Sequence, residues 1–256
     1  MAGFLLAFKS SLSGVYSLAC IGFLGEVVMD LLPAIELETA AHPQFSVIWL
    51  HGLGANGQDF VPVVPELGLQ KDKAVRFIFP HAPEMPVTIN GGYVMPAWYD
   101  ILSLSGSSRQ IDQAGIERTR VQINALIDRE VARGIPADHI VLAGFSQGGA
   151  MAYSVGLTYP ERLAGVMALS AYIPAPDWLD QQRTVANQHT PILVAHGTHD
   201  PVVSLALGEQ AKAWLQAHGY ALSWQTYPME HQVCLQEIRA IGQWLNQRFA
   251  AVADAP

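Results

Sequence analysis

Charge and sulfur are both scarce in this chain. Only 14% of its 256 residues are charged, and 14 Lys and Arg stand against 22 Asp and Glu, for a net charge of -8. A chain of that sign has no electrostatic means of holding a phosphate backbone, which excludes nucleic acid as a partner. Two cysteines, Cys20 and Cys234, are too few for a disulfide framework. A reducing compartment is therefore permitted, and a cytoplasmic location is expected. No Gly-rich phosphate loop follows the first strand-like run. His196 and His199 stand three apart, but no third ligand accompanies them at metal-site spacing. No metal and no cofactor is expected.

An uninterrupted apolar run of about 20 residues, the minimum for a spanning helix, is also missing. Residues 1–28 come nearest, with Lys9 and Glu26 as their only charges, but Gly3, Ser10, Ser11, Ser13, Gly14, Ser17, Gly22 and Gly25 break them up. Lys9 followed by an apolar run to Ala19 fits a secretory signal poorly, and Leu18-Ala19-Cys20 is only a faint match to a lipoprotein cleavage site. The segment is read as an extension from a mis-called start, with the working chain opening near Met29, or as a weak signal or anchor. Membrane association is not expected.

What is present is a large apolar content, 50% of residues, in a recurring pattern. From residue 44 onward, short apolar runs alternate with longer helical stretches, the mark of βαβ units and a mostly parallel sheet. Strands are predicted over Ser46–Leu50, Val75–Phe79, Ile140–Ala143, Val166–Leu169, Ile192–Ala195 and Leu222–Tyr227. Helices are predicted over Ile111–Arg133, Gln147–Thr158, Leu205–His218 and Gln232–Phe249. In the first of these, Ile116, Ile123, Leu126, Ile127 and Val131 form one apolar stripe, with Glu117, Arg118, Arg120, Asp128 and Arg129 on the wet side. The stretch from His81 to Ser108 reads as a long loop without regular structure, and loops of that length are usually functional. No repeat, linker or second domain is evident.

Gly144-Phe145-Ser146-Gln147-Gly148 fits G-x-S-x-G. The pattern arises by chance in roughly one chain of this size in ten, so context must decide its meaning. Here it follows an apolar strand and opens a helix, the strand–turn–helix setting of a nucleophile turn. Such a turn lifts the hydroxyl clear of the sheet and places it at a helix N-terminus, where developing negative charge is favoured. The plainer alternative is a serine that merely caps the helix.

On such a fold the order is nucleophile, acid, base. His51, His81 and His139 precede Ser146 and are poor bases. His189 and His196 flank a strand, and His199 precedes the best acid. His218, next to Gly219, is explained by the C-terminal dipole of its helix. His231, between the last strand and the last helix, is the expected base. Asp200, in Gly197-Thr198-His199-Asp200-Pro201, is the expected acid, at the C-terminal edge of the sheet where α/β folds gather their sites. Glu161 sits at a helix end, and Asp177 and Asp180 fall in a polar, Pro-flanked loop. A capping role for Asp200 is less apt, because Ser204 is better placed to cap the next helix. The oxyanion donors are expected to be the backbone N–H groups of Gln147 and of Leu53, in His51-Gly52-Leu53-Gly54.

These stretches, with Pro86–Gly92, Met95–Asp100 and His231-Gln232-Val233-Cys234, resemble the carboxylesterase/phospholipase family that includes bacterial carboxylesterases and acyl-protein thioesterases. The likeness runs from about Met29 to Arg248. It implies an α/β-hydrolase fold over residues 29–250, with a mostly parallel central sheet flanked by helices, no large lid domain, and a short tail over 251–256. It also implies a serine hydrolase that cleaves esters, or thioesters, with apolar acyl chains. Two departures stand out: residues 1–28 have no counterpart, and Glu230 occupies a place where a small residue is commoner. A carboxylate there would raise the pKa of His231 or simply face solvent.

Trp98, Tyr172 and Ile173 are expected to bind substrate, with Leu53 and Tyr99 nearby. No Arg or Lys lies within the motifs to grip a phosphate or carboxylate. The expected partner is a small-molecule ester or an acylated substrate, uncharged near the scissile bond, and a homodimer is left open. Acyl-protein thioesterase and lysophospholipase activities are the alternatives. A binding protein on a hydrolase scaffold is disfavoured, since no member of the triad is missing.

Overall fold

The computed structural model describes residues 31–105 and 108–253. The extension over residues 1–28 lies outside the described residues. In chain order the strands are β1 (Ala34–Glu38), β2 (Phe45–Leu50), β3 (Val75–Pro80), β4 (Glu84–Val87), β5 (Tyr93–Pro96), β6 (Ile101–Ser105), β7 (Ser108–Ile111), β8 (Ile140–Phe145), β9 (Gly165–Leu169), β10 (Ile192–Gly197) and β11 (Leu222–Tyr227). The helices are α1 (Gln113–Ala132), α2 (Gln147–Gly156), α3 (Pro176–Gln182), α4 (Leu205–Ala217) and α5 (Leu235–Ala253).

Seven strands make one sheet in the order β1-β3-β2-β8-β9-β10-β11, parallel throughout except for the antiparallel edge strand β1. The six parallel strands are those expected from the apolar runs. Five of them, β2, β3, β8, β9 and β10, are buried on both faces along almost their whole length, which is why they read as continuous apolar runs. Alternation sorts the side chains between two cores. Ile48, Leu50, Leu142, Val166 and Val194 pack under α1, α2 and α4, while Val47, Trp49, Val141, Met167 and Leu193 pack under α5 and the short turn of helix over Val61–Leu67. This is the α/β-hydrolase arrangement.

The structure departs from the sequence reading in three elements and, more slightly, at two helix ends. First, β1 precedes residue 44. It is half-exposed, and its register pairs Glu38 with Arg76, whose guanidinium bonds both Glu38 and the fully buried Glu130 of α1. An edge strand with polar residues gives no apolar run. Second, residues 81–108 are not an unstructured loop. They hold the hairpin β4–β5 and the first strand of β6–β7. Pro86 and Pro96 mask the strand signal, and Gly91 and Gly92 take φ of 66° and 79° at the turn. Third, Asp177 and Asp180 belong to α3, which starts with Pro176 at its first position and buries Trp178 and Leu179. Ile111 falls in β7 and not in α1, and α5 begins at Leu235 and not at Gln232.

Candidate active site

The C-terminal ends of β8, β10 and β11 carry the residues singled out above. Ser146 follows β8 directly, with φ 55° and ψ -118°, a conformation that costs a non-glycine residue energy and marks functional turns. Its N–H donates to Leu169 O at 2.8 Å, which ties the turn to the end of β9. The flanking glycines are dictated by close approach. A Cβ on Gly144 would lie 2.2 Å from the Gly148 carbonyl, and one on Gly148 would lie 2.4 Å from Leu50 O.

Ser146 Oγ stands 2.8 Å from His231 Nε2, and His231 Nδ1 stands 2.6 Å from Asp200 Oδ2. A carboxylate can only accept, so Nδ1 carries the proton and Nε2 offers its lone pair to the serine hydroxyl. Asp200 Oδ1 accepts from the N–H groups of Val202 and Val203, both at 2.8 Å. Burial acts to raise the Asp200 carboxyl, but His231 and these N–H groups hold it below the usual carboxylate range. It is therefore an ionised acceptor at neutral pH. The loops that carry acid and base are joined: Thr198 N–H donates to Tyr227 O and His199 N–H to Met229 O. Gly197 allows this contact, since a Cβ there would sit 2.4 Å from Met229 O. Glu230 faces solvent. His218 Nδ1 bonds Trp214 O at 2.7 Å at the end of α4, in keeping with the helix-terminus role expected for it.

The oxyanion candidates come from two elements. Gln147 opens α2, so its N–H has no partner within the helix. Leu53 lies in the turn after β2, beside Gly52, whose missing Cβ would sit 3.5 Å from Ser146 Cβ. His51 was set aside in the sequence as a base, and the structure shows what holds it. Its Nε2 accepts from Ala82 N–H at 3.0 Å, so Nδ1 bears the proton and donates to Gly52 O at 2.7 Å. Burial pulls the His51 pKa down and keeps the ring neutral. Across a trans peptide, C=O and N–H point in opposite directions. Holding the Gly52 carbonyl toward His51 therefore turns the Leu53 N–H away from it.

The Gln147 side chain is a second clamp. Its Oε1 accepts from Trp98 N–H at 2.9 Å and its Nε2 donates to Tyr99 O at 2.7 Å.

Ser146 and His231 open on a cavity of about 360 Å³. Leu53, Ile89, Ile101, Leu104, Phe145 and Tyr172 are among the apolar residues of its wall. Of the three residues expected to bind substrate, only Tyr172 is in that wall. Trp98 is fully buried, and its indole N–H donates to His51 O at 2.8 Å. Ile173 faces a neighbouring groove with Pro176, Leu207 and Trp214, on the other side of Tyr172, which lines both. Tyr99 is also fully buried, its hydroxyl 2.8 Å from that of Tyr172. The sequence reading missed Arg109, which lines the cavity from β7 and belongs to none of the motifs. No helix among the described residues is long and apolar enough to cross a membrane.

Comparison with known proteins places this site among relatives. A family profile described as phospholipase/carboxylesterase matches residues 33–248. An acyl-protein thioesterase 1 of Neurospora crassa is 41% identical over 240 residues, which cover 88% of this chain and 93% of the relative. A probable carboxylesterase of Oryza sativa subsp. japonica is 34% identical over 224 residues, covering 86% of this chain and 84% of the relative. The crystal structure of Zea mays acyl-protein thioesterase 2 superposes with a TM-score of 0.75 at 25% identity, over 85% of this chain and 99% of that one.

Proposed function

Because the chain belongs to the phospholipase/carboxylesterase family, and so is a hydrolase on an α/β scaffold, we propose that it cleaves carboxylic esters, thioesters included, through an acyl-enzyme on Ser146. The observation that carries this reading is the unbroken hydrogen-bond chain Ser146–His231–Asp200, 2.8 and 2.6 Å long, at the floor of an apolar cavity. Ser146 Oγ attacks the carbonyl carbon while His231 Nε2 takes its proton. The Leu53 and Gln147 N–H groups receive the resulting oxyanion. The carbonyl re-forms, the alcohol or thiol departs with the proton from Nε2, and water repeats the sequence to release the acid. Asp200 holds the imidazole tautomer and stabilises the imidazolium.

The names of the relatives favour a thioester of an acylated protein as one natural substrate, and a simple carboxylic ester as the other. The same parts serve both, since the tetrahedral intermediates differ only in the leaving atom. The apolar wall suits short- to medium-length acyl chains, and the substrate is taken as a dissolved monomer.

A fluorophosphonate probe tests the reading. Only a serine paired with a base is nucleophilic near neutral pH, so the adduct should map to Ser146 by mass spectrometry. An adduct on another serine, Ser170 for instance, or no adduct in protein shown to be folded, would refute it.

A further inference from the structure

Arg109, like Arg162, Arg239 and Arg248, has no ion pair among the described residues, but of these four it is the one in the wall of the cavity on which Ser146 and His231 open. Arg76, Arg118, Arg120, Arg129, Arg133 and Arg183 each pair with a carboxylate. Among the described residues no carboxylate pairs with Arg109, although the chain carries 8 more negative than positive charges. It is fixed by other means. Its guanidinium lies 4.7 Å from the Tyr172 ring centroid, and Nη2 donates to the Val202 carbonyl. Tyr172 is itself buried and tied to Tyr99, so the platform under the guanidinium is rigid. The Arg109 Nε is out of contact with water and has no acceptor among the described residues.

Among the described residues, this cation, stacked on Tyr172 and tethered at Nη2, leaves the Nε edge of its planar donor fork without an acceptor. An unmet buried donor on a charged group is costly, and a carboxylate or phosphate accepting from that fork removes the cost with the strongest class of hydrogen bond. Among the described residues the lining holds one carboxylate, Asp59, but it is exposed and enters from the turn after β2, not from the hairpin that bears Arg109. We propose that Arg109 is a specificity residue of the cavity, anchoring an oxyanion that the ester or thioester substrate carries away from its scissile carbonyl. The substrate class is thereby narrowed to acyl esters with an apolar body and a distal carboxylate or phosphate. This rests on the reading of Ser146 as the nucleophile. It also amends the expectation that nothing in the site grips a carboxylate or phosphate, which considered only the motif residues.

The test measures kcat and KM of the purified full-length protein on two matched pairs of medium-chain esters. One pair ends its acyl chain in methyl or in carboxylate. The other carries a neutral or a carboxylate-bearing alcohol. Wild type, Arg109→Lys and Arg109→Gln are compared. In at least one pair the anionic-to-neutral ratio of kcat/KM should fall about tenfold or more in Arg109→Gln. The fall should lie in KM, be smaller in Arg109→Lys, which keeps the charge but not the fork, and diminish at high salt. The pair that responds tells whether the anion enters on the acyl or the alcohol side. Ratios unchanged in both pairs overturn the proposal and leave Arg109 as a tie between the β6–β7 hairpin and the Val202 loop. Loss of folding cannot imitate the expected result, because it lowers both members of a pair alike. Wild-type inactivity on all four esters would be a different failure, that of the serine-hydrolase reading itself.

Discussion

Glu237, in the first turn of α5, sits 1% exposed, and neither of its carboxyl oxygens makes a hydrogen bond among the described residues. Burial pushes its pKa up to about 8, and the Cys234 N–H close by offsets this only in part. The native state therefore holds a proton on Glu237 at pH 7 that the unfolded chain, with an ordinary carboxyl near 4.5, has released. The stability this group leaves intact is fully present below pH 4.5 and is lost progressively as pH rises to about 8. Over that span, at about 1.4 kcal/mol per pH unit, the total is on the order of 5 kcal/mol, an upper bound because a helix end around a buried charge relaxes and admits water. Glu237→Gln keeps the shape and removes the titration. Urea unfolding of both proteins from pH 5 to 9 should give stabilities that diverge, with the wild type losing about 1.4 kcal/mol per pH unit relative to the variant until pH 8 and nothing further beyond it. Only the pH dependence of the difference matters, since the amide has unmet bonds of its own. A difference that stays flat from pH 5 to 9 would show that Glu237 is ionised and satisfied in the native state, and the reasoning from burial would be wrong.

Four further outcomes can be checked with purified protein. Ser146→Ala should retain its thermal unfolding midpoint within a few degrees and lose ester hydrolysis by several orders of magnitude; more than a tenth of wild-type kcat would rule out the assigned nucleophile. His51→Ala should lower kcat by about 10- to 1,000-fold with little change in KM, because a rotated Gly52–Leu53 peptide withdraws a donor from the oxyanion and not from the bound ester; an effect confined to KM would argue otherwise. In a series of uncharged esters, kcat/KM should rise over the first several acyl carbons at about 0.8 kcal/mol per buried methylene and then level off as the cavity fills; a jump in rate only above the micelle concentration would mean that the site needs an interface. A chain beginning at Met29 should fold and keep full activity, measured by unfolding and by ester hydrolysis side by side; loss of either would mean that the preceding residues pack on the domain.

Much of this protein was legible in its sequence, for identifiable reasons. The central strands are buried on both faces, so each had to be a nearly continuous apolar run, and the glycines around Ser146 had to be there because main chain passes within about van der Waals distance of them. Given the nucleophile, acid, base order of such a fold, Asp200 and His231 stood out because each lies just past the end of a strand, where an apolar run gives way to glycine or proline. β1 and the two hairpins were hidden because exposed strands need no apolar run and their prolines and glycines look like loop. What only the tertiary structure decided is which side chains face the cavity and which serve as its frame. Trp98 and Ile173 looked like substrate contacts because they are apolar and near the expected cleft, yet one is an internal hydrogen-bond donor to the His51 carbonyl and the other faces a neighbouring groove beyond Tyr172. Arg109 and His51 act through partners about 90 and 30 residues away in sequence, Val202 and Ala82. No local pattern encodes such pairings, because they are set by how β-hairpins and turns fold back over the sheet, and the resulting neighbours differ from the neighbours along the chain.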